Sequence, residues 1–417
     1  MTTQTSSRSP WTFIPSLYFG EGIPYIIINA VSVIFYKKLG INNAEIALWT
    51  SFISFPWVIK MFWGPIVDVY STKRKWLLTT QLAMCCCLGA IAFSLQLPNF
   101  FFISLAALTI GAFFSATYDI ATDGFYLLAL NPGQQAFFVG IRSLFYRLAV
   151  LFGSGFLPFL AGWLEESTKN IPLSWTIAIS FAALLLAILF IFHSLILPLP
   201  ESDKPRQPAT RENIPFLQVV ASYFEQEKIG YILAFILLYR LGEAMLIKIA
   251  PLFLLDARET GGLGLKTIEY SSVSGTFGVI SLIVGGILGG AVISKYGLKK
   301  CLLPMALAMN LPNLFYVYMA YAKPGLNFVY PLVSLEQFGY GFGFTAFSVY
   351  LMYIAKGEYK TSHFAISTGI MALGLMLPGA ISGYLQQSIG YTLFFGLVCL
   401  LTIPGMIALF FIPLNEN

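Results

Sequence analysis

The sequence is short of charge, histidine and cysteine. Lys, Arg, Asp and Glu together make up 10% of the 417 residues, against about 25% in an average soluble domain. That shortage excludes a chain that folds with water on every side. Two histidines, His193 and His363, are too few for a zinc site, and no His-Glu-x-x-His, Gly-x-Ser-x-Gly or Walker-type segment occurs. No catalytic residue, metal centre or intramembrane enzyme is therefore expected. The five cysteines lie in apolar runs, three of them contiguous at Cys85, Cys86 and Cys87. They read as small buried hydrophobes and not as disulfides. The net charge of +5 comes from bases scattered through short loops, unlike the one-sided basic face of a nucleic-acid binder. A cleaved leader is not expected either, because the polar stretch 1–10 runs into an apolar segment too long for a signal peptide.

What the sequence has in abundance is apolar length. Hydrophobic residues reach 57%, and runs of roughly twenty residues suffice to cross a hydrocarbon core of about 30 Å. They fall at 11–36, 44–66, 76–96, 98–130, 134–164 and 172–197, then at 228–255, 266–293, 300–321, 327–355, 361–387 and 390–413. The expected fold is an all-α membrane protein of about 12 transmembrane helices in two pseudo-symmetric six-helix bundles. These would span 1–197 and 228–417, joined by the polar, proline-rich segment 198–227. Along the alternating loops thirteen bases fall on the side of the N-terminus and six on the other. Both termini are therefore expected in the cytoplasm.

A short repeat relates the halves. Gly64-Pro65-Ile66-Val67-Asp68, followed by Lys73-Arg74, matches Gly290-Ala291-Val292-Ile293-Ser294, followed by Lys299-Lys300, at a constant offset of 226 residues. Each copy sits where the second run of its half ends, as parallel six-helix repeats require. The first copy resembles the loop signature of the major facilitator superfamily. That resemblance makes Gly64, Asp68, Lys73 and Arg74 a cytoplasmic gate, with Gly290 its counterpart and Ser294 in place of the acid.

Ionisable groups inside the runs are informative because each costs about 2.5–3.5 kcal/mol at a helix centre unless a partner or water meets it. Asp119 and Asp123, four apart, share one helix face at about 6 Å. Desolvated together they resist double ionisation, which suits a carboxyl that takes and releases a proton near neutrality. Arg142 and Arg147 lie at matching depth in the next run, Arg142 with Asp123 and Arg147 with Asp119. Fixed ion pairs are thus the competing reading, although a spacing of five keeps the two arginines from facing one place. In the second half Arg240 and Glu243, three apart, are expected to pair, Lys248 to snorkel outward, and Glu336 and Gln337 to offer hydrogen bonds to a polar solute. Lys60 is placed at headgroups or the Asp68 gate. Glu21, between Gly20 and Gly22 and followed by Pro24, predicts a local break in the first helix with backbone exposed to a site.

Three stretches carry a narrower resemblance: Leu17-Tyr18-Phe19-Gly20-Glu21-Gly22-Ile23-Pro24-Tyr25, Lys60-Met61-Phe62-Trp63-Gly64-Pro65-Ile66-Val67-Asp68, and Asp119-Ile120-Ala121-Thr122-Asp123-Gly124. With them the chain resembles the AmpG-type muropeptide permeases, a major facilitator branch also related to acetyl-CoA transporters. Tyr118 stands where that family often has Gln. The resemblance implies proton-coupled import of N-acetylglucosaminyl-anhydromuramic acid, with or without peptide, across a bacterial inner membrane. Asp119 and Asp123 would then couple protons or bind substrate, and no cofactor beyond the proton gradient would be needed. Some permeases of the family carry further C-terminal spans, for which 417 residues leave no room. The expected partners are lipid and a sugar or glycopeptide, with the chain a monomer.

The residues themselves leave two alternatives open. One is a carrier for another solute, such as an oligosaccharide, siderophore or CoA thioester. The other is a receptor that does not transport. Against a polyphosphate cargo, Glu21, Asp119, Asp123, Glu243 and Glu336 outnumber Arg240 and Lys248 in the cavity helices.

Overall fold

The computed structural model describes residues 9–63, 67, 70–200, 203–204, 216–355 and 360–414. Gly64 and Asp68, two of the expected gate residues, lie outside these. Among the described residues the chain is helical with no strand, and eight helices are long and apolar enough to cross a membrane. Several starts are written in the sequence. Asn131 caps Pro132–Leu151 in a capping box with Gln134, with Pro132 at a first-turn position that needs no N–H. Asn170 caps Ile171–Ile196 and Asn42 caps Asn43–Phe52 in the same way, by accepting from a backbone N–H three residues on. On the Ile171–Ile196 helix Leu184, Ile188, Ile191 and Leu195 form an exposed apolar stripe at helical spacing. Such a face is stable only against lipid or another apolar surface.

The described chain falls into two compact units, 1–31 with 59–211, and 32–58 with 212–417. In the first, Phe13, Leu17, Leu77, Tyr118, Phe125 and Phe138 fill one apolar core. In the second, Phe235, Tyr239, Met305, Met309, Phe347 and Tyr350 fill another. Residues 32–58 belong to the second because Gly383 brings the Lys360–Ala408 helix against the Asn43–Phe52 helix; a methyl group at Gly383 would lie 2.4 Å from the Asn43 carbonyl oxygen. Lys360–Ala408 is two helices in one run: Gly390 leaves helical geometry at φ 74°, ψ 168°, so the chain turns there.

Three helices depart from the straight segments expected. The break predicted at Glu21 is absent, since Ile14–Ile26 is continuous and the irregularity is a π-turn at Ile27–Val31. Gly20 and Gly22 serve close packing instead; a methyl group at Gly22 would sit 2.6 Å from the Ala149 side chain. The run expected at 44–66 divides into Asn43–Phe52, Phe55–Ile59 and a 3-10 turn at Lys60–Phe62. The run expected at 228–255 divides into Ile229–Leu238 and Leu241–Leu255, with Arg240 out of helical geometry at φ −108°, ψ 15°. Within the expected linker, Phe216–Phe224 is a helix. It is fastened by hydrogen bonds between Tyr223 Oη and Ser367 Oγ (2.9 Å) and between Ser222 Oγ and His363 Nε2 (3.0 Å).

Glycine also sets the approach of Val279–Tyr296 to Leu326–Ile354. A methyl group at Gly285 would meet the Phe338 carbonyl oxygen at 2.2 Å, and one at Gly341 would meet that of Leu282 at 2.1 Å. Gly285→Leu is expected to lower stability by about 3 kcal/mol, the upper end for overpacking because rigid backbone is struck. The thermal midpoint of the detergent-purified protein reads this out, and Gly290→Leu, whose added atom meets nothing within 4 Å, should leave it unchanged.

Candidate functional site

The first unit gathers three acids and two bases. Glu21 projects from Ile14–Ile26, Asp119 and Asp123 from Phe100–Ala129, Lys60 from the 3-10 turn and Arg142 from Pro132–Leu151. Lys60 forms an ion pair with Asp119. This corrects its placement at the headgroups or gate: the division of the second run and its 3-10 turn carry the ammonium to Asp119. Glu21 is buried, lies near enough to Asp119 for their charges to interact, and leaves its Oε2 without a partner among the described residues. Two carboxyl groups brought this close resist ionising together.

The second pair lies beside it. Arg142 donates to Asp123 Oδ1 at 3.1 Å and to Tyr18 Oη at 3.2 Å, while Tyr18 donates to the same Oδ1 at 2.8 Å. The guanidinium also stands 5.5 Å from the Tyr18 ring centroid and 5.1 Å from that of Tyr126, within range of cation–π attraction. The Arg142–Asp123 pairing is the one expected from depth. Arg147 takes no part: among the described residues it has no acidic partner, and Lys60 occupies the carboxyl expected to meet it. Accessibility rises along the cluster, from the Glu21 residue at 7% through the Asp119 side chain at 21% to the Asp123 side chain at 53%. The acids thus form a graded series from buried to accessible.

In the second unit Glu243 and Glu336 are both 1% exposed and near enough for their charges to interact. Glu336 accepts from Gln337 Nε2 at 3.0 Å and from Tyr316 Oη at 3.4 Å. The expected Arg240–Glu243 ion pair does not form among the described residues. The break at Arg240 turns its side chain to Tyr340, whose hydroxyl accepts from it, and to the Phe344 ring, 4.6 Å from the guanidinium carbon. Lys248 does not snorkel; it is buried at 9% exposure.

Sequence reasoning missed a further polar knot in the second unit. Asn43 donates to Asp256 at 3.0 Å, Gln386 at 2.9 Å and Tyr391 at 2.8 Å, and accepts from Lys37 at 2.8 Å. Asp256 is in turn paired with Lys37 and accepts from Tyr391. Asn42 caps the helix, and the side chain beside it does the joining. Asn43→Ala strands several of these groups, each costing about 1–3 kcal/mol. A fall of several degrees in thermal midpoint is expected, larger than for Asn42→Ala, which removes an exposed cap and exposed bonds to Glu45 and Gln387.

Of the gate residues described, Arg74 donates to the carbonyls of Ser194 (2.8 Å) and Leu197 (3.3 Å), which ties it to the end of Ile171–Ile196. Lys73 packs along Gly124. Asp203, another residue not foreseen, accepts from the backbone N–H of Lys73 at 2.6 Å and of Arg74 at 3.0 Å. It supplies a carboxylate at the start of Lys73–Ser94, where free N–H groups favour one.

Comparison with known proteins agrees with this architecture. A sequence profile described as Major Facilitator Superfamily matches residues 16–363. The "Putative transporter AmpG 4" of Rickettsia felis is 25% identical, over 95% of both chains. The "Anhydromuropeptide permease" of Escherichia coli is 26% identical, over 94% of this chain and 77% of its own. Among solved structures, a D-xylose-proton symporter superposes with a TM-score of 0.72 at 12% identity, covering 97% of this chain and 96% of the other. A nucleoside transporter does so with 0.69 at 16%, covering 95% and 97%. These relatives are transporters and not enzymes. A helical, multi-pass chain with this profile and these neighbours belongs to the major facilitator superfamily and is an AmpG-like secondary transporter of a small molecule.

Proposed function

We propose that the chain imports a peptidoglycan-derived amino sugar, an anhydromuropeptide, together with protons across a bacterial inner membrane. Twelve spans in two six-helix bundles, 1–197 and 228–417, would alternate access to a midplane site, with both termini in the cytoplasm. The cargo follows from the relative named as an anhydromuropeptide permease. The coupling rests on one observation above all: buried Glu21 lies near enough to Asp119 for their charges to interact while Lys60 holds Asp119. Protonation of Asp119 removes the charge that Lys60 opposes and frees the ammonium, so that protonation and rearrangement are linked. Asp123, half accessible and held by Arg142 and Tyr18, stands where protons enter or a sugar hydroxyl binds. In the second unit Glu243, Glu336, Gln337 and Arg240 would supply the polar contacts to the solute.

A ligand that binds only the folded protein raises its apparent stability by mass action. In a panel of cell-wall sugars, oligosaccharides, siderophores and CoA thioesters, the disaccharide anhydromuropeptide is expected to raise the thermal midpoint of purified protein most. Stabilisation by a siderophore or thioester alone would overturn the cargo.

A further inference from the structure

Beneath the knot at Asn43 the second unit buries a cation with no counter-charge. The Lys248 ammonium donates to the Thr50 carbonyl oxygen at 3.1 Å and to Thr50 Oγ1 at 3.2 Å, and no carboxylate among the described residues pairs with it. Beside it Ser51 is fully buried, its Oγ without a hydrogen-bond partner among the described residues. Gly379 closes the third side: a methyl group there would lie 2.8 Å from Ser51 Oγ and 3.3 Å from Lys248 Cγ. The polar groups of one seam are therefore layered. Lys248 and Ser51 each stand eight residues from the knot, at Asp256 and Asn43, or about 12 Å along their helices.

Thr50 offers the ammonium two neutral dipoles and Ser51 offers a spare donor, which together form half of a carboxylate site. A charge held in a membrane-spanning helix by dipoles alone gains most from an anion brought to it. We propose that Lys248 is the specificity-determining residue for an anionic solute. When the seam between Asn43–Phe52, Leu241–Leu255 and Gly379 parts, the ammonium leaves Thr50 and binds a carboxylate of the cargo, with Ser51 donating a second hydrogen bond. This rests on the cargo proposed above, since an anhydromuramyl sugar carries a carboxylate on its lactyl group or on the attached peptide.

The test is uptake into proteoliposomes of a radiolabelled disaccharide anhydromuropeptide with free carboxylates, beside the same compound with those carboxylates amidated. Wild-type protein is expected to favour the free acid by about tenfold in KM, the scale of one charge-assisted hydrogen bond. Lys248→Arg should keep that preference. Lys248→Met should lose it by weakening uptake of the acid while leaving the amide unchanged. Equal handling of acid and amide by the wild type overturns the role of Lys248 and leaves the cargo standing, whether or not the variants fold. A preference that survives in Lys248→Met also overturns it. Uptake of neither compound by the wild type refutes the muropeptide cargo, and this role with it.

Discussion

Asp119→Asn is expected to abolish uptake driven by a pH gradient, by a hundredfold or more. The change keeps the shape of the side chain and removes the charge that Lys60 meets. Stranding one partner of a buried pair costs about 3–5 kcal/mol, and the lower figure applies because the Lys60 side chain stays 37% accessible. That figure corresponds to about a hundredfold. The carboxyamide also cannot exchange a proton with Glu21. Exchange of labelled for unlabelled solute without a gradient separates the two consequences. Exchange that persists while gradient-driven accumulation vanishes locates the defect in coupling. Accumulation at the wild-type rate would remove Asp119 from the mechanism.

The second large effect is expected at Arg142. Its guanidinium bonds Asp123 and Tyr18 and lies near two tyrosine rings. A lysine can keep the attraction to Asp123 but not the planar guanidinium, whose Nη1 bonds both Asp123 and Tyr18 and which lies near the tyrosine rings. Arg142→Gln is expected to reduce uptake about a hundredfold and Arg142→Lys about tenfold, the difference reporting geometry and not charge. Arg147→Gln, which breaks no ion pair among the described residues, should stay within about twofold of wild type. An equal loss at both arginines would indicate a general need for positive charge in that helix and contradict the specific pairing.

The contrast between the two arginines shows what the sequence could disclose. Depth along regular helices was enough to join Asp123 to Arg142, because both helices run unbroken through those positions. The same counting failed for Asp119. It assumed a straight second span, whereas the chain divides after Phe52 and tightens at Lys60–Phe62, so a lysine counted toward the gate reaches the acid instead. Arg240 and Glu243 show the failure again: a three-residue spacing pairs side chains only on an intact helix, and this one breaks at Arg240. The polar knot was illegible for another reason. Lys37, Asn43, Asp256, Gln386 and Tyr391 are ordinary residues near helix ends, and only tertiary packing brings them together.

The apolar runs and the family motifs, by contrast, were read directly. Membrane helices must satisfy their backbone internally and carry long apolar stretches, so periodicity has little to hide. Glycine contacts such as Gly285 on Phe338 and Gly341 on Leu282 are set by which helices pack together. Which carbonyl each one meets depends on the fold.

Simultaneous recording of luminal pH and solute entry tests the coupling most directly. Vesicles containing the wild-type protein, with equal pH on both sides, receive anhydromuropeptide outside. The Glu21–Asp119–Lys60 arrangement predicts that the lumen acidifies in step with entry. Entry at full rate with the luminal pH unchanged would contradict it.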